Sequence, residues 1–514
     1  MATTVPTKNV GRPRGTTDGK AAHVNKATSK AFTPQVSEVG GMKVDRSLEK
    51  RVDHISSAEA GRQGKTARVA VPRTLHASWA APAGRRSPVD IIAEQATTRE
   101  PDLVPIRHGR MMVSPFTFYR GAAAIMAADL AATPSSGFRV QCCGDAHLLN
   151  FGGFTSPERS MLFDVNDFDE TLPGPWEWDV KRLAASIEVA GRDGQLKAPD
   201  RRNAVEATVR QYREAMREFA ALTELGVWYA HLDGESLVAL VRAEVGTKEA
   251  PNLEATLAKA RSKDSMKAFT KLTRLLDGQP IISADPPLIV PLRDLIEPEV
   301  LPRFQDELHK LFRAYRRTLQ PDRRHLLEQY RIVDMARKVV GVGSVGTRCF
   351  VLLLMGRRDA DPIFLQVKEA QDSVLAPFCG KSKISNQGQR VVEGQRLMQA
   401  ASDITLGWLR TVGLDGRQRD FYIRQLWDGK VGVEPSTLTP ATLAVYGRIC
   451  GWTLARAHAR SGDRIAISSY LGASPTFDTA MCNFAVAYAD QNERDYDVFL
   501  KAVKSGVLQA ETGV

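Results

Sequence analysis

Apolar and polar positions change rhythm several times along the chain. Residues 118–130 (FYRGAAAIMAADL) place apolar side chains at helical spacing, and Pro134-Ser135-Ser136-Gly137 ends that pattern. Residues 138–142 and 161–163 are strand-sized apolar runs separated by a polar loop that reaches Asn150. Pro173-Gly174-Pro175 predicts a turn, and residues 178–190 predict a helix. Helical periodicity continues over 203–224, 235–245, 252–277 and 299–318, with Pro286-Pro287 and Pro291 marking a loop. From Val339 the character changes, and residues 339–370, rich in glycine and β-branched side chains, predict strands. Residues 387–401 predict a helix, and 419–426 alternate as a strand through Phe421, Ile423 and Gln425. Thr439 as N-cap and Pro440 as first helical residue open a helix that runs through His458, and the chain ends helical. The order is a helical lobe, a β-rich segment and helix again, which predicts an α+β, bilobal protein.

The 514 residues are 43% hydrophobic and 25% charged, a balance that excludes collagen, coiled coil and wholesale disorder. The longest apolar run, Cys349-Phe350-Val351-Leu352-Leu353-Leu354-Met355, is far short of the roughly 18 residues of a membrane-spanning helix, so no membrane contact is expected. The first residues lack the apolar centre of a secretory signal, and the six cysteines show no metal or disulfide spacing. Both features point to the cytoplasm. The net charge of +11 is uneven, because thirteen Lys/Arg against six acids put +7 of it before residue 71. Residues 1–75 therefore read as a disordered basic tail. Its Gly11-Arg12-Pro13-Arg14-Gly15 resembles the core of an AT-hook, which gives a weak nucleic-acid contact as one expectation for the tail.

The densest polar constellation is Gly144-Asp145-Ala146-His147-Leu148-Leu149-Asn150, followed by Phe163-Asp164-Val165-Asn166-Asp167-Phe168-Asp169-Glu170. Four Asp and two Glu lie between positions 145 and 170, and clustered carboxylates beside apolar strands repel one another and resist burial. A divalent cation relieves both problems, and Asp and Asn oxygens suit Mg²⁺. An Asp, an Asn five positions later and a strand ending in a second Asp form the catalytic layout of protein-kinase-like enzymes. The loop resembles the H-G-D-x-H-x-x-N of aminoglycoside and choline kinases, with Cys143 in place of the first His. Asp145 and His147 are the catalytic candidates here, and Asn150, Asp167 and Asp169, with Asp164 in reserve, are the metal candidates.

A nucleotide half follows downstream. Gly341-Val342-Gly343-Ser344-Val345-Gly346 matches G-x-G-x-x-G, and Lys368 ends the apolar strand Phe364-Leu365-Gln366-Val367. Strand residues after Gly346 favour a kinase glycine loop over a dinucleotide fold, which needs a helix there. Glu393, on the helix over 387–401, is the expected partner of Lys368. Leu426 lies where an adenine-stacking hinge would sit. ATP and Mg²⁺ are the cofactors this set implies. The catalytic loop precedes the glycine loop, which reverses the usual kinase order and predicts a circular permutation. The helix containing Leu454-Ala455-Arg456-Ala457-His458-Ala459 fits that permutation, because L-A-x-x-H-A segments normally lie just upstream of such catalytic loops.

Ser114-Pro115-Phe116-Thr117-Phe118-Tyr119-Arg120-Gly121, the stretches 143–151 and 163–170, Pro173-Gly174-Pro175-Trp176-Glu177-Trp178-Asp179 and the stretch 454–463 occur in order. Together they resemble the bacterial domain-of-unknown-function 2252 family over about residues 85–500. The resemblance implies a protein-kinase-like fold and names no substrate. The expected organisation is the tail (1–75), a helical lobe with the catalytic loop (76–335), a β-rich nucleotide lobe (336–430) and C-terminal helices on the helical lobe (431–514). The leading functional expectation is an ATP/Mg-dependent phosphotransferase acting on a hydroxyl of an unidentified small molecule or protein. Transfer of AMP, non-catalytic nucleotide sensing and metal-dependent hydrolysis remain open alternatives. Asp179 is a candidate anchor for the catalytic loop, and Arg120 a candidate partner for one of its acids or for a phosphate.

Overall fold

A computed structural model describes residues 55–245, 265–358, 361–413, 416–426 and 432–513. Most of the basic tail, including the stretch 11–15, lies outside the described residues, as do Trp427 and positions 246–264.

The central core is built around the polar loop. β1 (Arg139–Cys142) pairs with β4 (Leu172–Pro175), and β2 (Phe151–Thr155) pairs with β3 (Met161–Val165), all antiparallel. β5 (Leu232–Asp233) adds a short edge to β3. The helices Trp176–Asp193, Ala198–Ala221, Pro440–Ser461 and Thr476–Lys504 surround these strands and supply most of one large apolar cluster. Pro440–Ser461 begins in a capping box formed by Thr439 and Thr442, as its sequence predicts. The C-terminal helices thus share one apolar core with the loop over 143–150.

The second layer is an antiparallel sheet of six strands in the order β12-β13-β11-β10-β9-β8. Besides β8 (Ile289–Pro291) and β9 (Arg331–Lys338), it contains β10 (Cys349–Met355), β11 (Pro362–Ala370), β12 (Gly407–Val412) and β13 (Gln418–Gln425). Residues 341–346 link β9 to β10, and the helix Gln387–Met398 links β11 to β12. Alternation splits the apolar side chains of β10 and β11 between two faces. Leu352, Leu354, Leu365 and Val367 pack under the helix Leu301–Arg316. Val351, Leu353 and Phe364 pack with the helix Ser265–Leu272. Lys368 shares the Phe364 face of β11, so it points away from the Leu301–Arg316 helix.

The structure corrects several sequence expectations. Residues 57–70 are not tail but a helix, Ser57–Ala70, capped by Ser56 and held where Gly64 closes on the backbone of Ala466. Arg68 and Arg73 donate to carbonyls of the Arg464–Leu471 helix, so these two side chains cap backbone, while Arg62 and Lys65 stay exposed. The expected single helix over 118–130 is two, Pro115–Gly121 and Ala123–Leu130. At the break the Tyr119 carbonyl accepts both the capping Ala122 N–H at 3.1 Å and Arg182, and the Gly121 carbonyl accepts from Arg107. Positions 273–282 form the hairpin of β6 (Thr273–Leu276) and β7 (Gln279–Ile282), not the end of a helix. The β-rich layer also starts earlier than residue 336, because β8 and Arg331–Lys338 belong to the sheet. All six cysteines are free, and among the described residues no helix is long and apolar enough to cross a membrane.

Candidate active site

The loop after β1 takes its shape from one buried carboxylate. Asp179, in the first turn of Trp176–Asp193, accepts from the backbone N–H of Cys143 at 2.6 Å and of Gly144 at 3.0 Å. His458 Nε2 lies 3.2 Å from the same carboxylate, and its Nδ1 is 2.9 Å from the Tyr212 hydroxyl. The L-A-x-x-H-A segment of the C-terminal helix is thereby fastened beneath the catalytic loop. Gly144 has φ +83°, and a Cβ there would run into the Glu170 carbonyl, so the turn requires glycine.

Asp145 follows that turn. One of its oxygens, Oδ1, receives Arg182 Nε and Nη2, each at 2.6 Å, while Oδ2 lies 3.9 Å from His147 Nε2. Arg182 is one helical turn beyond Asp179, so one helix face holds both the loop backbone and its carboxylate. Asn150 donates its amide to the Asp145 carbonyl at 2.6 Å, which leaves its own Oδ1 for another partner. His147 accepts the Leu149 N–H on Nδ1, which puts its proton on Nε2. Burial, followed by Arg120 and Arg182, holds the His147 pKa well below the usual value, so the ring is neutral.

β3 delivers the second acidic group. Asp164, which the sequence holds in reserve as a ligand, is instead structural: Arg456 donates to both its oxygens, at 2.7 and 2.6 Å, and the Ala400 N–H donates at 2.9 Å. Phe168 is buried in the central core and fixes Asp167 and Asp169 on either side of it. Lys368 Nζ reaches Asp169 in a close ion pair and stands 3.8 Å from Asp167 Oδ1. Burial opposes the ammonium, but Asp167 and Asp169 outweigh it and hold the Lys368 pKa well above the ordinary lysine value. Asp169 also accepts from the Tyr422 hydroxyl at 2.7 Å and from Ser344 Oγ at 3.3 Å. Asp167 Oδ1 is buried with no hydrogen-bond partner, and burial and Asp169 raise its pKa.

The glycine loop closes the other side. Its Ser344 touches Asp169, and the carbonyl of Gly346 (φ +87°) accepts the Glu100 N–H at 2.7 Å. A cavity of about 590 Å³ joins Asp145, His147, Asn150, Asp167 and Asp169 to Gly341, Gly343 and Ser344. Gly346 backs onto Arg99 and is not in the cavity wall.

Besides Gly346, three expected site residues do not line this cavity: Lys368, buried against Asp167 and Asp169, which do line it, and Glu393 and Leu426. Glu393 is not the partner of Lys368. Arg390, Val391, Gly394, Gln395 and Met398 form the buried stripe of their helix, and position 393 falls on its exposed side, where Glu393 accepts from Gln389 at 2.6 Å. Leu426 does not line the cavity either. It packs with Leu353 and Phe364 in the sheet core, and its N–H donates to the Phe364 carbonyl at 2.9 Å. The sequence reading missed Arg182, Arg390, Tyr422 and Arg424. Arg390 donates to the carbonyls of Thr171, Asp169 and Gln371 and so ties its helix to the acidic segment. Arg424 donates to the carbonyl of Asn166 at 3.1 Å. Only Arg182 had a signal in the sequence, its one-turn spacing from Asp179.

Among the described residues no group of three or more His, Cys, Asp or Glu side chains is placed to hold a metal ion. The nearest to a ligand set is Asp167, with its unpartnered oxygen, and the Oδ1 of Asn150. That set fits a Mg²⁺ taking one or two protein oxygens and filling its other positions from phosphate and water.

The profile of a family described as an uncharacterized protein conserved in bacteria (DUF2252) matches residues 99–502. The chain belongs to this family. The match covers both the strand bearing Lys368 and the loop bearing Asp145, while Arg86, Ile91, Glu94, Gln95 and Thr98 add a part of the cavity wall that lies before it. No curated protein and no solved structure matches the chain.

Proposed function

We propose that this DUF2252 protein is an ATP- and Mg²⁺-dependent phosphotransferase with a bilobal, circularly permuted kinase-like architecture. The observation that carries the reading is the pairing of Lys368 with Asp167 and Asp169, two carboxylates that line one cavity with Asp145, Asn150 and the glycine loop. A lysine on the third strand of a β9-β10-β11 meander, following a glycine-rich β9–β10 link and preceding a helix, is the phosphate-binding half of a kinase. Asp145, Asn150 and Asp167 supply the catalytic half.

In this reading Lys368 binds the α- and β-phosphates, and residues 341–344 cover them with backbone N–H groups. Asp169 replaces the expected glutamate in steadying the lysine. Asn150 and Asp167 would hold Mg²⁺, which when bound neutralises phosphate oxygens. Arg182 holds Asp145 by Oδ1 and leaves Oδ2 to orient the acceptor hydroxyl and take its proton. The hydroxyl oxygen then forms the new bond to the γ-phosphorus as the bond to the ADP oxygen breaks. Neutral His147 leaves that proton transfer to the carboxylate. The test is a thermal-shift titration with ATP, with and without Mg²⁺, on the wild type and Asp167→Asn. Mg-dependent stabilisation that is lost in the variant supports the reading, and equal stabilisation of both proteins overturns it.

A further inference from the structure

Two arginines that line the cavity, Arg107 and Arg120, are left unused by the proposed chemistry. Arg107 is 1% exposed. Its Nη2 donates to Gln95 Oε1 and to the Gly121 carbonyl, both at 3.0 Å, and Gln95 and Gly121 themselves line the cavity. Its Nε and Nη1 have no hydrogen-bond partner among the described residues. No carboxylate pairs with it, and its charged neighbour is another cation, Arg99. Burial and Arg99 accordingly push the Arg107 pKa well below the usual guanidinium value. Arg120, on the adjoining turn, lines the same cavity, and its Nε is also buried without a partner. Asp145 is the acid that acts on it most strongly, followed by Glu434.

A buried guanidinium with two free nitrogens is unfavourable unless an anion completes it. The position of the missing anion follows from its neighbours. Asp169 and Asp167 occupy Lys368, whereas Arg120 has Asp145 as its strongest acidic neighbour, and Arg107 is tied to the residue after Arg120 through the Gly121 carbonyl. Ala123 and Ala124 line the cavity beside Gly121, where their short side chains occupy little of it.

We infer that Arg107 and Arg120 form an oxyanion subsite for the acceptor, which is therefore a hydroxyl compound that also carries a phosphate or carboxylate group. The inference rests on the phosphotransferase reading for the word acceptor, but the anion site stands on the arginines alone. An anion held there sets the rest of its molecule beside Asp145, where a hydroxyl would need to be.

The probe is inorganic phosphate, titrated into the nucleotide-free full chain by calorimetry, with Mg·ADP titrated separately. Phosphate is expected to bind the wild type, and Arg107→Gln to weaken it about tenfold or more, as loss of a charge-assisted pair should. Arg120→Gln, at a partly exposed side chain, should do the same and keeps the test open if Arg107→Gln does not fold. Lys368→Met should leave phosphate binding intact, and neither arginine variant should change Mg·ADP affinity by more than about twofold. Phosphate that does not bind, or binds both arginine variants equally well, overturns the subsite. Parallel loss of Mg·ADP in the arginine variants assigns these side chains to the nucleotide and overturns the acceptor assignment. If phosphate binds through Arg107 and Mg·ADP does not bind at all, the subsite stands and the phosphotransferase reading fails.

Discussion

Replacing Asp179 by alanine should loosen the catalytic loop while leaving the sheet untouched. The carboxylate is 1% exposed and accepts from Cys143 N–H at 2.6 Å, Gly144 N–H at 3.0 Å and His458 Nε2 at 3.2 Å. A hydrogen bond to a charged group contributes about 1.5–3 kcal/mol, and a donor left buried and unpaired costs about 1–3 kcal/mol. Two backbone donors and an imidazole lose their acceptor together, which gives about 3–5 kcal/mol for Asp179→Ala, the range for removing one partner of a buried charged cluster. Asp179→Asn keeps one carbonyl oxygen and should lose about half of that. Urea unfolding followed by tryptophan fluorescence measures the cost. Hydrogen exchange of the peptide spanning residues 140–150 locates it, and that peptide should exchange faster in Asp179→Ala while peptides of β10 and β11 do not change. A cost below about 1 kcal/mol with unchanged exchange at 140–150 would refute the argument that this carboxylate builds the loop.

Three further outcomes are expected. Asp169→Asn removes the near partner of Lys368 and should cost about 2–4 kcal/mol in urea unfolding, whereas Glu393→Ala, on an exposed helix face, should stay within about 0.5 kcal/mol. Asp164→Asn breaks a fully buried pair with Arg456 and should cost about 3–5 kcal/mol by the same measurement. His76 is buried 2.7 Å from the Tyr470 hydroxyl, and burial, then Lys181, lower its pKa to about 3. Its folded-state pKa lies below that of the unfolded chain, so stability present above about pH 6.5 is lost as pH falls through the window down to about 3. Between pH 7.5 and 5 the wild type should therefore lose about 2 kcal/mol more than His76→Gln, read from unfolding midpoints at the two pH values.

The shape of the polar loop was legible because its geometry is local. Asp145, Asn150 and Asp167 sit on consecutive turns and strands, and short-range spacing decides where they point. Lys368 was legible for the same reason, as a lysine at the end of an apolar strand after a glycine-rich turn. Its partner was not, because the phase of the helix Gln387–Met398 against the sheet is a tertiary fact. That helix turns Arg390 inward and Glu393 out, and the lysine finds Asp169 in a segment two hundred residues earlier. The extent of the sheet was hidden by charge. Arg331, Asp334, Arg337 and Lys338 give β9 the charge of a solvated segment, yet Arg337 pairs with Asp102 at 2.8 Å and Asp334 with Arg293 at 2.7 Å, so two of these charges are held in ion pairs at the sheet margin. Ser57–Ala70 escaped notice because its apolar content is low. It is held by a small-residue contact at Gly64 and by arginines on carbonyls, neither of which leaves a periodic pattern.

The most direct test of the central claim is covalent labelling with an acyl-phosphate derivative of ATP, which acylates lysines lying against bound phosphates, followed by mass spectrometry of the peptide containing Lys368. Labelling concentrated at Lys368, suppressed by excess Mg·ATP and reduced in Asp167→Asn, is the expected result. Labelling that passes over Lys368, or that excess Mg·ATP does not suppress, would contradict a nucleotide held between the β11 lysine and the acidic segment.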